Sequence, residues 1–522
     1  MFDIIIANAN IYDGTGKKPY CADIGIKDGK ILEIGALKES FCSEVIDAKG
    51  LCVFPGFIDS HTHSDIALLN NPERKEALLQ GITTEVISAC GIGCVPLSEN
   101  KNEYIKTVKA IMGESEKDFN SSSVSAYMNE LEKNGTGVNV AIQLAHSPLR
   151  IEATGFSDTP LKGKNLEKCL ELADKAFSEG ACAFTTGLSY YPAAFSDTDE
   201  IVEICKVAAK YDVPICVHQR TALRNPKLPF DPKEEVLDFA RKSGVRIHYS
   251  HFRTTPKTAG SLDKLLEPIE RGLAEGLKIT ADFYPYPVGS GYLPVYLPFG
   301  VMDCNLNGIL EKLKSEAVFK EFIKNAMQTP DAVITETSFN KDYLGKSFLQ
   351  IAKEENRNVE DVMYKLLCDE KLNVGYRLNA EFDKDDIEKL EKDFVSLIKK
   401  PYYMVGSDTL PLNSNPHPRS YGAFSKMIRI AKKHGIALEL LANRMCKNPA
   451  ELFKLKNRGS IEKGNYADII IFDPNEFSDV STFENPKQYA NGMKYVIVNG
   501  KLAVKEGKLS AVLGGKPLKS EK

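Results

Sequence analysis

The strongest constraint on this chain is a series of eight short apolar runs, separated by longer stretches that mostly show helical periodicity, between residues 56 and 408. The runs are GFIDSH (56–61), TTEVISAC (83–90), VNVAIQLAH (138–146), ACAFTTGL (181–188), VPICVH (213–218), VRIHYSH (245–251), KITADFY (278–284) and PYYMVGSD (401–408). Apolar strands spaced by helices are the sequence form of parallel β/α units, because a strand covered on both faces need not alternate. Eight such units close a barrel, so the predicted fold is α/β, a TIM-type (β/α)8 barrel.

The last two runs are too far apart for one helix. Residues 288–400 contain NLNGILEKLKSEAVFKEFIKNAM and SFLQIAKEENRNVEDVMYKLL, both with helical periodicity, and are expected to form an insertion before the last barrel strand, placed to act as a lid. Residues 1–54 have another character, with short alternating segments around the hairpin signal Asp28-Gly29. That character returns in ADIIIFDP and in MKYVIVNGKLAVKEGKL, where Asn499-Gly500 marks the turn. Both chain ends, 1–54 and 457–522, are therefore expected to pair into a small β-sandwich domain, leaving 55–456 for the barrel.

Lys and Arg number 67 against 71 Asp and Glu, a net charge of -4 with no basic stripe, which argues against nucleic acid or an anionic membrane and for a small-molecule partner. No pattern specifies an oligomer. The first residues lack the basic-then-apolar order of a signal peptide and no window has membrane-spanning length, so a cytoplasmic location is expected. The 12 cysteines are scattered without a dense framework and read as free thiols, any one of which can bind metal.

A barrel of this type carries its chemistry at the C-terminal ends of its strands. Of the 8 histidines, His61, His63, His146, His218, His248 and His251 lie in or at the ends of predicted strands; His417 and His434 lie elsewhere. His61 and His63 are two apart after an apolar strand, a spacing that points both imidazoles to one side and suits a metal clasp. Cys90 ends the second strand in SACGIG and is either a buried thiol or a soft ligand for zinc. His218 ends the fifth strand. His248 and His251 are an odd number apart, so a regular strand turns only one inward; His251, at the strand end, is the candidate, and His248 is expected at the barrel–helix interface. Asp408 closes the apolar run MVGSD, where a carboxylate needs a partner or a task, and is the candidate general base.

With these residues in place the sequence resembles the amidohydrolase superfamily and, within it, the D-aminoacylase (N-acyl-D-amino-acid deacylase) family. The resemblance covers nearly the whole chain. VFPGFIDSHTHSD is common to the superfamily, while ACGIG, TTGLSYYP (185–192), SHFR (250–253), ADFYPYP (281–287), GSDTLP (406–411), HPRSYGAF (417–424) and NRGSIEKGNYADIIIFDP (457–474) are more specific. The resemblance implies a Zn2+ ion held tightly by Cys90, His218 and His251, a weaker second position at His61 and His63, and Asp408 as catalytic acid and base. It further implies an N-acyl-D-amino acid as substrate, contacted by Tyr190, Arg253, Tyr284 and Arg419, of which Tyr284 and Arg419 fall at the substrate carboxylate. Departures from the family pattern are Arg253 in place of the usual Lys, His218-Gln219-Arg220 in place of His-Met-Arg, and AHSPLR, with His146 and Arg150, where the motif normally begins Gly-His-Gly. The alternatives are a cyclic amidase of the hydantoinase or dihydroorotase type, disfavoured because ACAFTTGLSY lacks the bridging lysine of strand four, and a non-catalytic amidohydrolase-like scaffold, which would have lost its ligands.

Overall fold

The structure is a computed structural model that describes residues 1–37, 41–220, 231–379, 381–410 and 414–521. Pro411, the end of the GSDTLP motif, lies outside the described residues. Five strands open the chain: β1 (Phe2–Ile11), β2 (Tyr20–Lys27), β3 (Lys30–Gly35), β4 (Cys42–Asp47) and β5 (Cys52–Pro55). There follow β6 (Phe57–Asp59), β7 (Ile82–Ile87), β8 (Asn139–Ile142), β9 (Leu144–Ala145), β10 (Phe184–Gly187), β11 (Ile215–His218), β12 (Ile247–Tyr249) and β13 (Ile279–Phe283). Next come β14 (Ser290–Tyr292), β15 (Val333–Glu336), β16 (Gly375–Arg377) and β17 (Tyr403–Val405). The chain closes with β18 (Ile469–Phe472), β19 (Met493–Val498), β20 (Lys501–Lys505), β21 (Lys508–Leu509) and β22 (Pro517–Leu518).

The eight apolar runs are the barrel wall. β6, β7 and β8 pair in parallel, and so do β9 to β13 followed by β17. β8 and β9 are two halves of one wall strand interrupted at Gln143, with Cys182 N–H donating to Ile142 O at 2.9 Å across the join. The other seam, between β17 and β6, is tied by the parallel bridge Thr62↔Thr409 and by Asp408 N–H donating to His61 O at 2.9 Å. Alternate wall residues Ile58, Val86, Ala141, Cys216 and Met404 fill the interior and meet Phe453 and Leu455 from the segment that plugs the floor. The opposite wall faces join the large core packed under the surrounding helices.

Both chain ends enter one nine-stranded sheet, ordered β21-β20-β19-β18-β5-β1-β2-β3, with β4 on β1. The long strand β1 pairs in parallel with β4 along its first half and with β5 at its end. A core of isoleucines, among them Ile6, Ile24, Ile469 and Ile497, holds this sheet together. The tail then returns to the barrel: β22 adds in parallel to the free edge of β8, with Pro517 opposite Val140 and Leu518 opposite Ala141. Ser520 N–H donates to Gly180 O at 3.0 Å, and the chain comes so close that a Cβ on Gly515 would stand 1.9 Å from Val138 O.

Between β13 and β17 the insertion forms a small antiparallel sheet, β14-β16-β15, with helices Glu316–Ala326, Val359–Asp369 and others around it. Among the described residues, no helix is long and apolar enough to cross a membrane. All 12 cysteines are unpaired.

Candidate active site

The candidate side chains stand at or just beyond the ends of wall strands, His218 as the last residue of β11, and at three of them the backbone departs from strand geometry. Cys90, His251 and Asp408 all have left-handed φ, at 53°, 41° and 52°. Such values are uncommon for residues with a Cβ and gather at sites where geometry is imposed by function. In each case the turn ends the strand's alternation and redirects the side chain toward the barrel axis. Glycine makes room for it: a Cβ on Gly187 would lie 2.1 Å from Cys90 O, and one on Gly406 would lie 2.7 Å from His61 Cβ.

The side chains converge. Cys90 Sγ is 3.4 Å from His61 Nε2, 3.5 Å from His251 Nε2 and 3.7 Å from His218 Nδ1. Two ligand sets share that sulfur, Cys90 with His218 and His251, and Cys90 with His61 and His63. Bond lengths of ~2.3 Å for Zn–S and ~2.05 Å for Zn–N at a tetrahedral angle put S and N about 3.5 Å apart, close to what these contacts show. The 2.8 Å between His218 Nδ1 and His251 Nε2 is tighter than the ~3.3 Å edge the same geometry asks for, so one ring has to give by about half an ångström. His63 Nδ1 is buried with no hydrogen-bond partner among the described residues. A thiol, several imidazoles and an orphaned ring nitrogen form a donor set that fits zinc.

Asp408 completes the cluster. Its Oδ1 is 3.5 Å from both His61 Nε2 and His63 Nε2, and its Oδ2 is 2.9 Å from Arg419 Nη1. Burial pushes this carboxyl up, but Arg419, the His63 hydrogen bond and the other imidazoles outweigh it and hold it well below the usual carboxylate range. Burial brings His251 down to about 4, so its ring is neutral and able to donate a lone pair to a cation.

Arg419 is wholly buried, and none of its three guanidinium nitrogens has a hydrogen-bond partner among the described residues, since the contact with Asp408 is close but misaligned. It lies over the ring of Tyr284 at 4.6 Å, and Arg253 lies over the same ring at 4.4 Å. A buried guanidinium with open donors is a ready partner for a carboxylate. Beside it is a cavity of about 140 Å3 lined by His63, His218, His251, Asp408, Tyr190 and Tyr284, with Ile111 and Leu410 as apolar walls. A larger cleft of about 410 Å3, over Asn70, Asn71 and Glu336, contains none of these ligand candidates.

His248 departs from the sequence reading, and several other residues take places the sequence left open. His248 faces the barrel interior, not the helices: it pairs laterally with Cys216 and Thr280, and its Nε2 meets Asp282 Oδ2 at 2.8 Å. The parity argument failed because His251 is already past the strand, in its left-handed turn. His146 stays outside the cluster, bonded to Thr186 Oγ1 at 2.8 Å and Glu200 Oε1 at 3.2 Å, with Arg150 paired to the same glutamate. Arg220 spends its donors on Glu235, Ala194 O and Ser196 O. His417, placed elsewhere by sequence, accepts from Arg419 N–H at 3.0 Å and supports that arginine from behind. Ser290 and Gly291, supplied by the insertion strand β14, reach the cavity with no sequence signal to announce them, and Asp282 shows only as a lone carboxylate in ITADF.

A profile of the Amidohydrolase family matches residues 44–114 and 394–504. The chain is 29% identical over 505 residues to an N-acyl-D-aspartate deacylase of Alcaligenes xylosoxydans xylosoxydans, covering 96% of this chain and 91% of that one. It is 28% identical to a D-aminoacylase of the same organism, covering 96% and 94%. An N-acyl-D-glutamate deacylase from Bordetella bronchiseptica, solved with zinc and a phosphonate inhibitor that mimics the tetrahedral intermediate, superposes with a TM-score of 0.82 at 27% identity over 99% of each chain. Barrel, end domain and ligand cluster together define a metal-dependent amidohydrolase. Among these relatives the chain is similar to the D-aminoacylases over nearly its whole length.

Proposed function

We propose that this protein hydrolyses the amide bond of N-acyl-D-amino acids in a zinc-dependent reaction, releasing a carboxylate and a free D-amino acid. The observation that carries this reading is the pairing of a Cys90–His218–His251 ligand set with a buried Arg419 whose donors are open, on either side of Asp408. The deacylase relatives support linear N-acyl-D-amino acids as the substrate class. Cys90, His218 and His251 would hold the tight zinc, with His61 and His63 at a second, weaker position. A zinc ion there supplies Lewis-acid polarisation of the scissile carbonyl and acidifies water enough for deprotonation near neutral pH.

The chain's own groups do the rest. Arg419 takes the substrate α-carboxylate, Tyr284 flanks it, and Arg253 braces the same ring; Tyr190 borders the reacting centre from the His218 side. Asp408 accepts a proton from the attacking water at Oδ1, the oxygen turned toward the imidazoles, while Oδ2 stays beside Arg419. It then returns that proton to the departing amine, so one carboxylate serves both halves of the reaction. Ser290 and Gly291 close the cavity from the insertion and help to exclude water. β10 reads FTTG and offers no lysine to bridge two metals, which favours a linear amide over a cyclic one. Unpaired thiols fit a reducing, cytoplasmic setting.

A panel of N-acetyl-D-amino acids with their L forms and a hydantoin as controls tests the reading. Release of free D-amino acid, dependent on zinc, is expected. Turnover of the hydantoin alone, or none by the zinc-loaded protein, overturns it.

A further inference from the structure

Beneath the cluster, Asp282 is fully buried on β13 and accepts from three histidine donors at once. Its Oδ2 takes His61 Nδ1–H at 3.3 Å and His248 Nε2–H at 2.8 Å, and its Oδ1 takes the main-chain N–H of His251 at 2.5 Å. Ser60 Oγ stands 3.5 Å from Oδ2. His248 is held in turn by Thr280 Oγ1 at 2.9 Å from its Nδ1. The arrangement leaves no spare room, since a Cβ on Gly406 would come 3.1 Å from Asp282 Cγ and 2.8 Å from Ser60 Oγ.

Two consequences follow from the chemistry of those bonds. A carboxylate only accepts, so Nδ1 of His61 carries a proton toward Asp282, and Nε2 is the nitrogen turned to Cys90 Sγ and Asp408 Oδ1. The bond to His251 N–H pins the backbone where it turns left-handed, and that turn aims the His251 ring. His61 belongs to one candidate ligand set and His251 to the other.

We propose that Asp282 is the positioning residue common to both metal positions: it fixes the ring nitrogen that His61 presents, fixes the backbone that presents His251, and is itself oriented by His248. The proposal rests on the metal-binding reading given above. Carboxylates or carbonyls behind ligand histidines set the tautomer and ring angle, and losing one typically costs roughly 10–100-fold in metal affinity. What is particular here is that one carboxylate serves two positions, so its loss weakens both.

The test compares wild-type protein, D282N and H248Q by zinc titration against a chromophoric chelator, with the His61 tautomer read from imidazole 15N signals of the metal-free protein and folding checked by circular dichroism. D282N is expected to bind zinc roughly 10–100-fold more weakly, with any second equivalent weakened as well, and its His61 signal should shift from the Nδ1–H form to a mixture. H248Q keeps an N–H toward Asp282 and should show the same changes to a smaller degree. A folded D282N with zinc affinity within twofold of wild type, or with an unshifted His61 signal, overturns the proposal. If D282N does not fold, H248Q decides by the same two criteria. Wild-type protein that binds no zinc would sink the metal reading itself, and the tautomer signal would still report whether Asp282 orients His61.

Discussion

Arg419 Nη1 stands 2.9 Å from Asp408 Oδ2, and both side chains are buried at the same end of the barrel. In the proposed reaction the guanidinium would act on the base and on the substrate together. It holds the Asp408 carboxyl well below its ordinary range, and its remaining donors are open for the proposed substrate carboxylate. Arg419→Lys, which keeps the charge but loses the planar fork, is expected to raise KM and to lower kcat/KM by ~10-fold or more. Arg419→Met should also shift the acid limb of the kcat/KM profile to higher pH, because Asp408 loses the partner that depresses it. Initial rates across a pH series check both.

Asp408→Asn would remove the proposed proton carrier and leave the candidate ligands in place. Turnover is expected to fall by ~10²–10⁴-fold while bound zinc, measured by elemental analysis, stays at the wild-type level. Loss of zinc in this variant, or retained activity, would contradict the assigned role.

Removing metal with a chelator should abolish activity, and adding zinc should restore it. Cys90→Ser replaces the soft sulfur shared by both ligand sets with a hydroxyl, and the restoring zinc concentration is expected to rise by at least ~10-fold. Activity against free zinc, in a metal buffer, gives the number.

Gly187→Ala places a methyl group 2.1 Å from the Cys90 carbonyl oxygen and 2.5 Å from the Tyr190 ring. Backbone has to move, so a stability loss of ~1–3 kcal/mol is expected, with weaker zinc binding as the more specific sign. Urea melts of the metal-free protein separate the two effects.

Glu200 supplies a pH-dependent part of the stability away from the site. Burial pushes its carboxyl up, but His146 and Arg150 outweigh that and bring it to about 2, against an ordinary 4.5. The folded value is depressed, so the contribution is complete above pH ~4.5 and is lost as pH falls toward 2; its size is about 3 kcal/mol. Glu200→Gln should be less stable than wild type at pH 7, and the gap should narrow below pH 4 in denaturant melts.

The wall of the barrel was legible because its strands are buried on both faces and appear as unbroken apolar runs. Asp408 could be picked out for the same reason, as a charge at the end of such a run. Alternation carried less far. It holds for His218, which follows Cys216 on the inner face of β11, but it cannot reach His251, whose left-handed turn lies outside the strand. Asp282 escaped assignment because its task is set by three partners that lie far away in sequence or on the backbone. Ser290 and Gly291 escaped because an insertion brings them to the cavity, and no periodicity in their own segment encodes that meeting.

β22 gives the barrel wall part of its edge from the far end of the chain, with Leu518 packed toward the floor of the interior. During synthesis, β8 is made hundreds of residues before the segment that covers it. Until the ribosome has released Pro517 and Leu518, that edge has no partner, and a chain stalled or clipped just short of them would hold every ligand residue yet lack its final brace. The barrel wall is thus finished only by a segment made long after the strand it covers.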